Sequence, residues 1–142
     1  RDLVRSRGLG DVYKRQDEPL RFLTNGIKKR CTAFILSDFL SRDFEEALKI
    51  ASNKHDIVAL KISDPLEKVI PDIGFVKIAD SESGNERWID TSSRNTRNEY
   101  AKWWKNHTDT IINIFRKCGV DYIEILTNQD YVKPLIKLFE KR

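Results

Sequence analysis

Three carboxylates of this chain stand where an α/β protein does its chemistry. Asp38 closes the apolar run Cys31-Thr32-Ala33-Phe34-Ile35-Leu36-Ser37. Asp64 closes Asp56-Ile57-Val58-Ala59-Leu60-Lys61-Ile62-Ser63, and Asp90 leads into Thr91-Ser92-Ser93. In an open parallel sheet, ligands gather beyond the carboxyl ends of the strands. A carboxylate there can hold a divalent cation, directly or through water, with Ser37 beside Asp38 as a further hard oxygen. The same residues have plainer uses. Asp38 can instead cap the turn that follows it, and its type and position leave both uses open. Asp64 before Pro65 reads first as a turn. Asp90-Thr91-Ser92-Ser93 reads first as a helix cap.

The other chemically able residues read as structural. His55 at a helix exit and His107 on an aromatic helix face lack a second His or Cys at metal-ligand spacing. Trp103-Trp104 between Lys102 and Lys105 could stack single-stranded nucleic acid, but helical spacing places Trp104 in a core stripe and Trp103 at its edge. Lys28-Lys29-Arg30 reads as a solvated helix end. Cys31 and Cys118 fit buried free thiols in a reducing compartment better than a disulfide, which points to a cytoplasmic location. The sequence contains no glycine-rich phosphate loop, GxSxG, HExxH or CxxC. Phosphoryl transfer with Asp38 as nucleophile calls for a second Asp two residues on, and position 40 is Leu.

The elements that must position these residues alternate. Leu20, Leu23 and Ile27 mark a helix from Asp17-Glu18-Pro19 through 28–30, and residues 31–37 read as a buried central strand. Ser41 can cap a helix with Phe44, Ala47, Leu48 and Ala51 on one face, ahead of a second strand at 56–62. This β-α-β order calls for parallel pairing through a right-handed crossover. Residues 75–80 and 86–90 flank the turn cluster 81–85, predicting a β-hairpin inserted at the carboxyl edge of the sheet. A long helix then runs from Thr91-Ser92-Ser93 to about Cys118. Tyr100, Trp104, His107, Ile111, Phe115 and Cys118 form its stripe, and Thr96 with Glu99 offers a capping box. Gly119 ends it with a left-handed cap. A third strand follows at 120–126, then a last helix capped by Thr127-Asn128, which Pro134 must kink or delay.

The chain has 142 residues, 39% hydrophobic and 34% charged, which suits one soluble α/β domain with a real core. No apolar run approaches the roughly 20 residues of a membrane helix. Of the net charge of +4, residues 1–16 contribute +3, so the body is no obvious polyanion binder. Residues 1–16 lack helical or strand periodicity and resemble translated adapter sequence. They are therefore set apart from the domain at 17–142, the alternative being a basic tail that contacts nucleic acid or a partner. On the adapter reading, the natural protein is longer and its amino-terminal part is missing.

Several short motifs carry a resemblance. They are Arg30-Cys31-Thr32-Ala33-Phe34-Ile35-Leu36-Ser37-Asp38-Phe39 with Phe44-Glu45-Glu46-Ala47-Leu48, and Asn53-Lys54-His55-Asp56-Ile57-Val58-Ala59 with Ser63-Asp64-Pro65. Ile70-Pro71-Asp72-Ile73-Gly74, Trp88-Ile89-Asp90-Thr91-Ser92 and Cys118-Gly119-Val120-Asp121 complete the series. In this order they resemble the carboxyl-terminal half of domain-of-unknown-function family fifty-eight. Those bacterial proteins have a von Willebrand factor type A-like fold and are typically encoded beside MoxR-type AAA+ ATPases.

The resemblance implies the carboxyl-terminal half of a von Willebrand factor A-like, Rossmann-like parallel sheet with an inserted hairpin. It implies a non-enzymatic protein-interaction domain that works with a MoxR-type ATPase in protein assembly or maturation. The alternative is a small α/β enzyme or nucleotide-binding domain using the strand-end acids. Type A domains often bind partners through Mg²⁺, held by an Asp-x-Ser-x-Ser loop, a Thr and an Asp after the fourth strand. Only that last Asp has a counterpart here, Asp38, with Ser37 and Asp64 as secondary candidates. One carboxylate cannot supply six oxygens, so Mg²⁺ is expected in the full-length protein and no tight metal in this chain. The strand at 31–37 would then lack a neighbour, and the isolated chain would be marginal, aggregation-prone or dimeric.

Overall fold

The computed structural model describes residues 17–40, 44–79 and 86–142. The expectations for the leader at 1–16, for Ser41 at the second helix start, for residue 80 at the end of the first hairpin strand and for the turn at 81–85 lie outside the described residues.

The described residues form five strands and four helices. In order they are α1 (Asp17–Gly26), β1 (Thr32–Ser37), α2 (Glu45–Lys54), β2 (Asp56–Ser63), β3 (Phe75–Ala79), β4 (Glu86–Asp90), α3 (Arg94–Lys117), β5 (Asp121–Leu126) and α4 (Val132–Glu140). A 3-10 turn, Pro65–Lys68, follows β2. The short α2 and the long α3 carry the chain back over the sheet. The strands therefore pair parallel in the order β1-β2-β5, with Thr32 opposite Asp56 and Val58 opposite Asp121. The β3–β4 hairpin is a separate antiparallel pair, Phe75 opposite Asp90. The fold is α/β, as the alternation predicted.

The two faces of the parallel sheet carry different helices. On one, Leu20 of α1, Leu48 and Ala51 of α2, and Ile111, Ile114 and Phe115 of α3 close over Ile57 and Ala59. On the other, Leu138 and Leu135 of α4 cover Val58, Leu60, Ile123 and Ile125. The period-2 alternation of β2 and β5 sends each residue to one layer or the other. β2 is accordingly buried along almost its whole length.

β1 is not the buried central strand its composition suggests. Among the described residues it has a partner on one side only, as the resemblance implied, and Phe34 is 45% and Leu36 64% exposed. An apolar run reads alike whether a strand is interior or has an open side, so composition could not separate the two. The strand is anchored at its carboxyl end instead. Phe39 takes a left-handed backbone (φ 55°), which costs a non-glycine residue energy, and places its ring in the core against Phe44 and Phe115.

Element ends bring further corrections. α1 stops at Gly26, so Lys28-Lys29-Arg30 lie in the connection rather than on the helix. Ser93, not Thr96, is the N-cap of α3 and accepts the Thr96 N–H (3.3 Å); Glu99 instead accepts from the Asn95 side chain (3.2 Å). Tyr131 is the N-cap of α4 and gives no side-chain bond; Asp130 before it accepts the Val132 N–H (3.0 Å) in its place, and Thr127-Asn128 do not. Pro134 thereby falls in the first turn, where its missing N–H costs no helix bond. Gly119 takes the left-handed conformation the stop of α3 requires (φ 63°). Cys31 and Cys118 are free thiols, half-buried rather than buried.

Candidate functional site at the carboxyl edge of the sheet

Asp38 and Asp64 follow the carboxyl ends of β1 and β2, Asp90 ends β4 of the hairpin, and each serves its own turn. Asp38 Oδ1 accepts the Leu40 N–H (3.2 Å) and the Ser37 hydroxyl (3.4 Å), while Ser37 Oγ accepts the Phe39 N–H (3.1 Å). These bonds hold the bend that turns Phe39 inward. Asp64 Oδ1 accepts the Leu66 N–H (2.8 Å), and Glu67 answers by accepting the Asp64 N–H (3.1 Å). This capping box fixes the 3-10 turn. Asp90 accepts from the backbone (2.9 Å) and hydroxyl (2.5 Å) of Ser92. Those bonds hold its carboxyl below the usual range. The fully buried Thr91 donates to the Gly74 carbonyl (2.6 Å) and accepts from Ile73 N–H (3.1 Å), tying the hairpin base together.

Among the described residues, no group of three His, Cys, Asp or Glu side chains could hold a metal ion. Asp38, Ser37 and Asp64 do not together fit a six-oxygen Mg²⁺ shell. Asp38 contributes one carboxylate, already engaged with its turn.

The structure assembles a different polar cluster at this edge. Lys61, 3% exposed, and Ser63 come from β2, and Glu124 comes from β5. Register places Lys61 directly opposite Glu124, with Ser37 on the other side. Lys61 Nζ donates to Ser63 Oγ and lies 3.3 Å from Glu124 Oε1; the Ser63 hydroxyl donates to the same oxygen (2.9 Å). Lys68 reaches Glu124 Oε2 at 3.1 Å. Burial alone would raise the Glu124 carboxyl, but hydrogen bonds from Lys68 and Ser63 and the Lys61 charge bring it below its ordinary value. Trp104 of α3 closes the cluster, its ring 5.6 Å from Lys61 Nζ. Its indole N–H has no hydrogen-bond partner among the described residues. Tyr100, one turn earlier, donates its hydroxyl to the Glu67 carbonyl (2.7 Å), and burial pushes that phenol up.

Sequence reasoning passed over Lys61, which sits inside an apolar strand like a solvent-facing residue. The signal was its register with Glu124, a cross-strand pair that only the topology reveals. Chemically the cluster locks β5 to β2. Its Ser–Lys contact resembles a nucleophile and base, but Ser63 is 1% exposed and lines neither groove described below.

The histidines lie elsewhere. His55 is buried; its Nε2 faces the Leu23 carbonyl (3.1 Å), which can only accept, so Nε2 carries the hydrogen. Nδ1 then accepts from Cys31 N–H (3.4 Å) and faces the Cys31 thiol (3.4 Å). This histidine joins α1, β1 and α2. His107 is buried in the α3 stripe with Trp103 stacked on it (5.4 Å, 11°).

An apolar opening lies along the side of β1 that has no partner strand among the described residues. A groove of about 390 Å³ runs between Phe22 and Leu23 of α1 and Phe34, Leu36 and Phe39. Phe139 of α4 meets Phe34 at its rim (6.0 Å).

Comparison with known proteins bears on this geometry. Residues 15–110 match the family described as "Protein of unknown function DUF58". An uncharacterized protein of Mycobacterium avium is 28% identical over 116 residues, 81% of this chain and 68% of the relative. Uncharacterized proteins of Mycobacterium bovis and Mycobacterium tuberculosis are each 26% identical over 116 residues, 81% of this chain. In those two the match spans 36% of the relative's length. No solved structure matches the chain.

Proposed function

This chain belongs to the DUF58 family, and on that premise we propose that it is a non-enzymatic protein-interaction domain of von Willebrand factor A-like type. Its partner is a MoxR-type AAA+ ATPase, and its work is the assembly or maturation of other proteins in the cytoplasm. The fold name and the ATPase rest on the run of motifs from Arg30 to Asp121. In this chain the interaction role is supported by one observation, the apolar groove along the side of β1 that has no partner among the described residues; in the longer protein the same side takes up the preceding strand. A strand with a free side offers backbone donors and acceptors to an extended segment, and Phe22, Phe34 and Leu36 offer it apolar pockets. No helix among the described residues is long and apolar enough to cross a membrane. Mg²⁺ belongs to the full-length protein on this reading, with Asp38 as one of its ligands. The enzyme alternative is the weaker one, because Asp38 and Asp64 already cap their own turns.

The test is binding of the chain to a purified MoxR-type ATPase by calorimetry. Phe34→Lys with Leu36→Lys should weaken binding at least about tenfold, because both side chains are exposed and their loss leaves the core intact. Unchanged affinity in that variant, with its circular dichroism preserved, would overturn the reading.

A further inference from the structure

The opposite edge of the sheet carries a second, chemically distinct groove. β5 is the other outer strand. Beside it a hollow of about 520 Å³ is floored by Tyr122, Ile123 and Leu138 and rimmed by Lys133, Lys137 and Lys141 of α4. These lysines stand at i, i+4 and i+8, exposed, with no ion pair among the described residues. Asp130, the one acid lining the hollow, is engaged in capping α4. Asp121 at the start of β5 is held by Arg142 (2.9 Å), and Glu124 is held by Lys61 and Lys68. The rim therefore sets three lysines against the single carboxylate of Asp130, a net positive row above an apolar floor.

We propose that the β5 edge is a docking groove for an acidic, extended peptide segment that adds to the sheet as a further strand. The spacing argues for this partner. Successive lysines four residues apart on a helix rise about 6 Å. Alternate residues of a strand, which share a face, are about 6.7 Å apart. An extended segment with Asp or Glu at every second position thus sets one carboxylate near each lysine. Its backbone can pair with β5, and its apolar side chains, on the opposite face from the acids, come beside Tyr122. Lysines often guard an edge strand against indiscriminate pairing, but such guards usually project from the strand itself. Here they come from the neighbouring helix, so they repel basic segments while leaving the edge open to acidic ones.

The experiment uses the full chain and a fluorescent peptide alternating Val and Glu, followed by anisotropy. The Val–Glu peptide should bind at least about tenfold more tightly than its Val–Lys counterpart and weaken steeply with added salt. Lys137→Glu with Lys141→Glu should cost about tenfold or more, whereas the same charge change at exposed Lys102 and Lys105 of α3, Lys102→Glu with Lys105→Glu, should leave the affinity within about twofold. Hydrogen exchange of the amides in Asp121–Leu126 should slow on binding. The proposal falls if the two peptides bind alike. It also falls if an N-methylated Val–Glu peptide binds as well as the parent, or if single-stranded DNA or phosphatidylserine vesicles bind more tightly with the same lysine dependence.

Discussion

The two edges of one three-stranded sheet are built from opposite materials. β1 shows Phe34 and Leu36 to the outside and has Phe22 and Phe139 as neighbours. β5 has a lysine rim. α4 reports the same asymmetry along its own surface. Val132, Ile136 and Phe139 are exposed on one flank, and Lys133, Lys137 and Lys141 line the other. The fastenings differ as well. β1 is pinned by an aromatic ring, Phe39 seated edge-on to Phe115 (4.9 Å). β5 is pinned by charge, Glu124 against Lys61 and Lys68. Charge discourages unselective strand pairing and apolar surface invites it. The difference teaches that edges within one sheet can be specified separately: one for an apolar neighbour, one for an acidic one.

The largest effect should come from reversing the apolar edge. The chain should self-associate, and Phe34→Lys with Leu36→Lys should shift it to monomer in analytical ultracentrifugation. Lys133→Glu with Lys137→Glu should not. A wild-type chain that is monomeric at high concentration and unfolds cooperatively would erase the contrast between the edges.

A middle-sized effect tests the fastening of β5. Glu124→Gln leaves the buried Lys61 without its carboxylate and should cost about 2 kcal/mol in urea unfolding. The pH dependence has a definite sign. The folded Glu124 carboxyl lies below its ordinary value, so the unfolded chain binds its proton first. Its stabilisation is fully present above the unfolded value of about 4.3 and is lost as pH falls through the lower folded value. The wild type should therefore lose stability relative to Glu124→Gln across that acid range. Parallel pH curves would show that charge does not hold this edge.

The smallest effect concerns the acids that sequence chemistry placed first. Asp38→Ala and Asp64→Ala should each cost about 1 kcal/mol, the worth of a lost cap. Neither should change Mg²⁺ affinity, because this chain should bind that ion no more tightly than millimolar. Micromolar Mg²⁺ binding in titration calorimetry, lost with Asp38→Ala, would make Asp38 a ligand rather than a cap.

The helices and strands were legible because periodicity and local stops agree. Gly119 ends α3 where a left-handed residue is needed, and Ser63-Asp64-Pro65 ends β2. Errors gathered where two local signals competed. Lys28-Lys29-Arg30 suited a helix end, but the helix stopped at Gly26. Thr127-Asn128 suited a cap, but Asp130 took it, which moved Pro134 into the tolerant first turn. The candidate site was half legible. Asp38, Asp64 and Asp90 were found by position, yet which oxygen accepts which N–H depends on turn geometry. Lys61 and Glu124 were invisible, being 63 residues apart and joined only by strand register.

By itself the sequence determined the layer alternation, the parallel pairing and the aromatic stripe of α3, because each follows from short-range spacing and connection length. Only the tertiary structure decided that Lys61 meets Glu124 beneath Trp104, and that α4 turns lysines toward β5 and Phe139 toward β1. Those outcomes depend on strand order and register. These are long-range choices that no local window of residues contains.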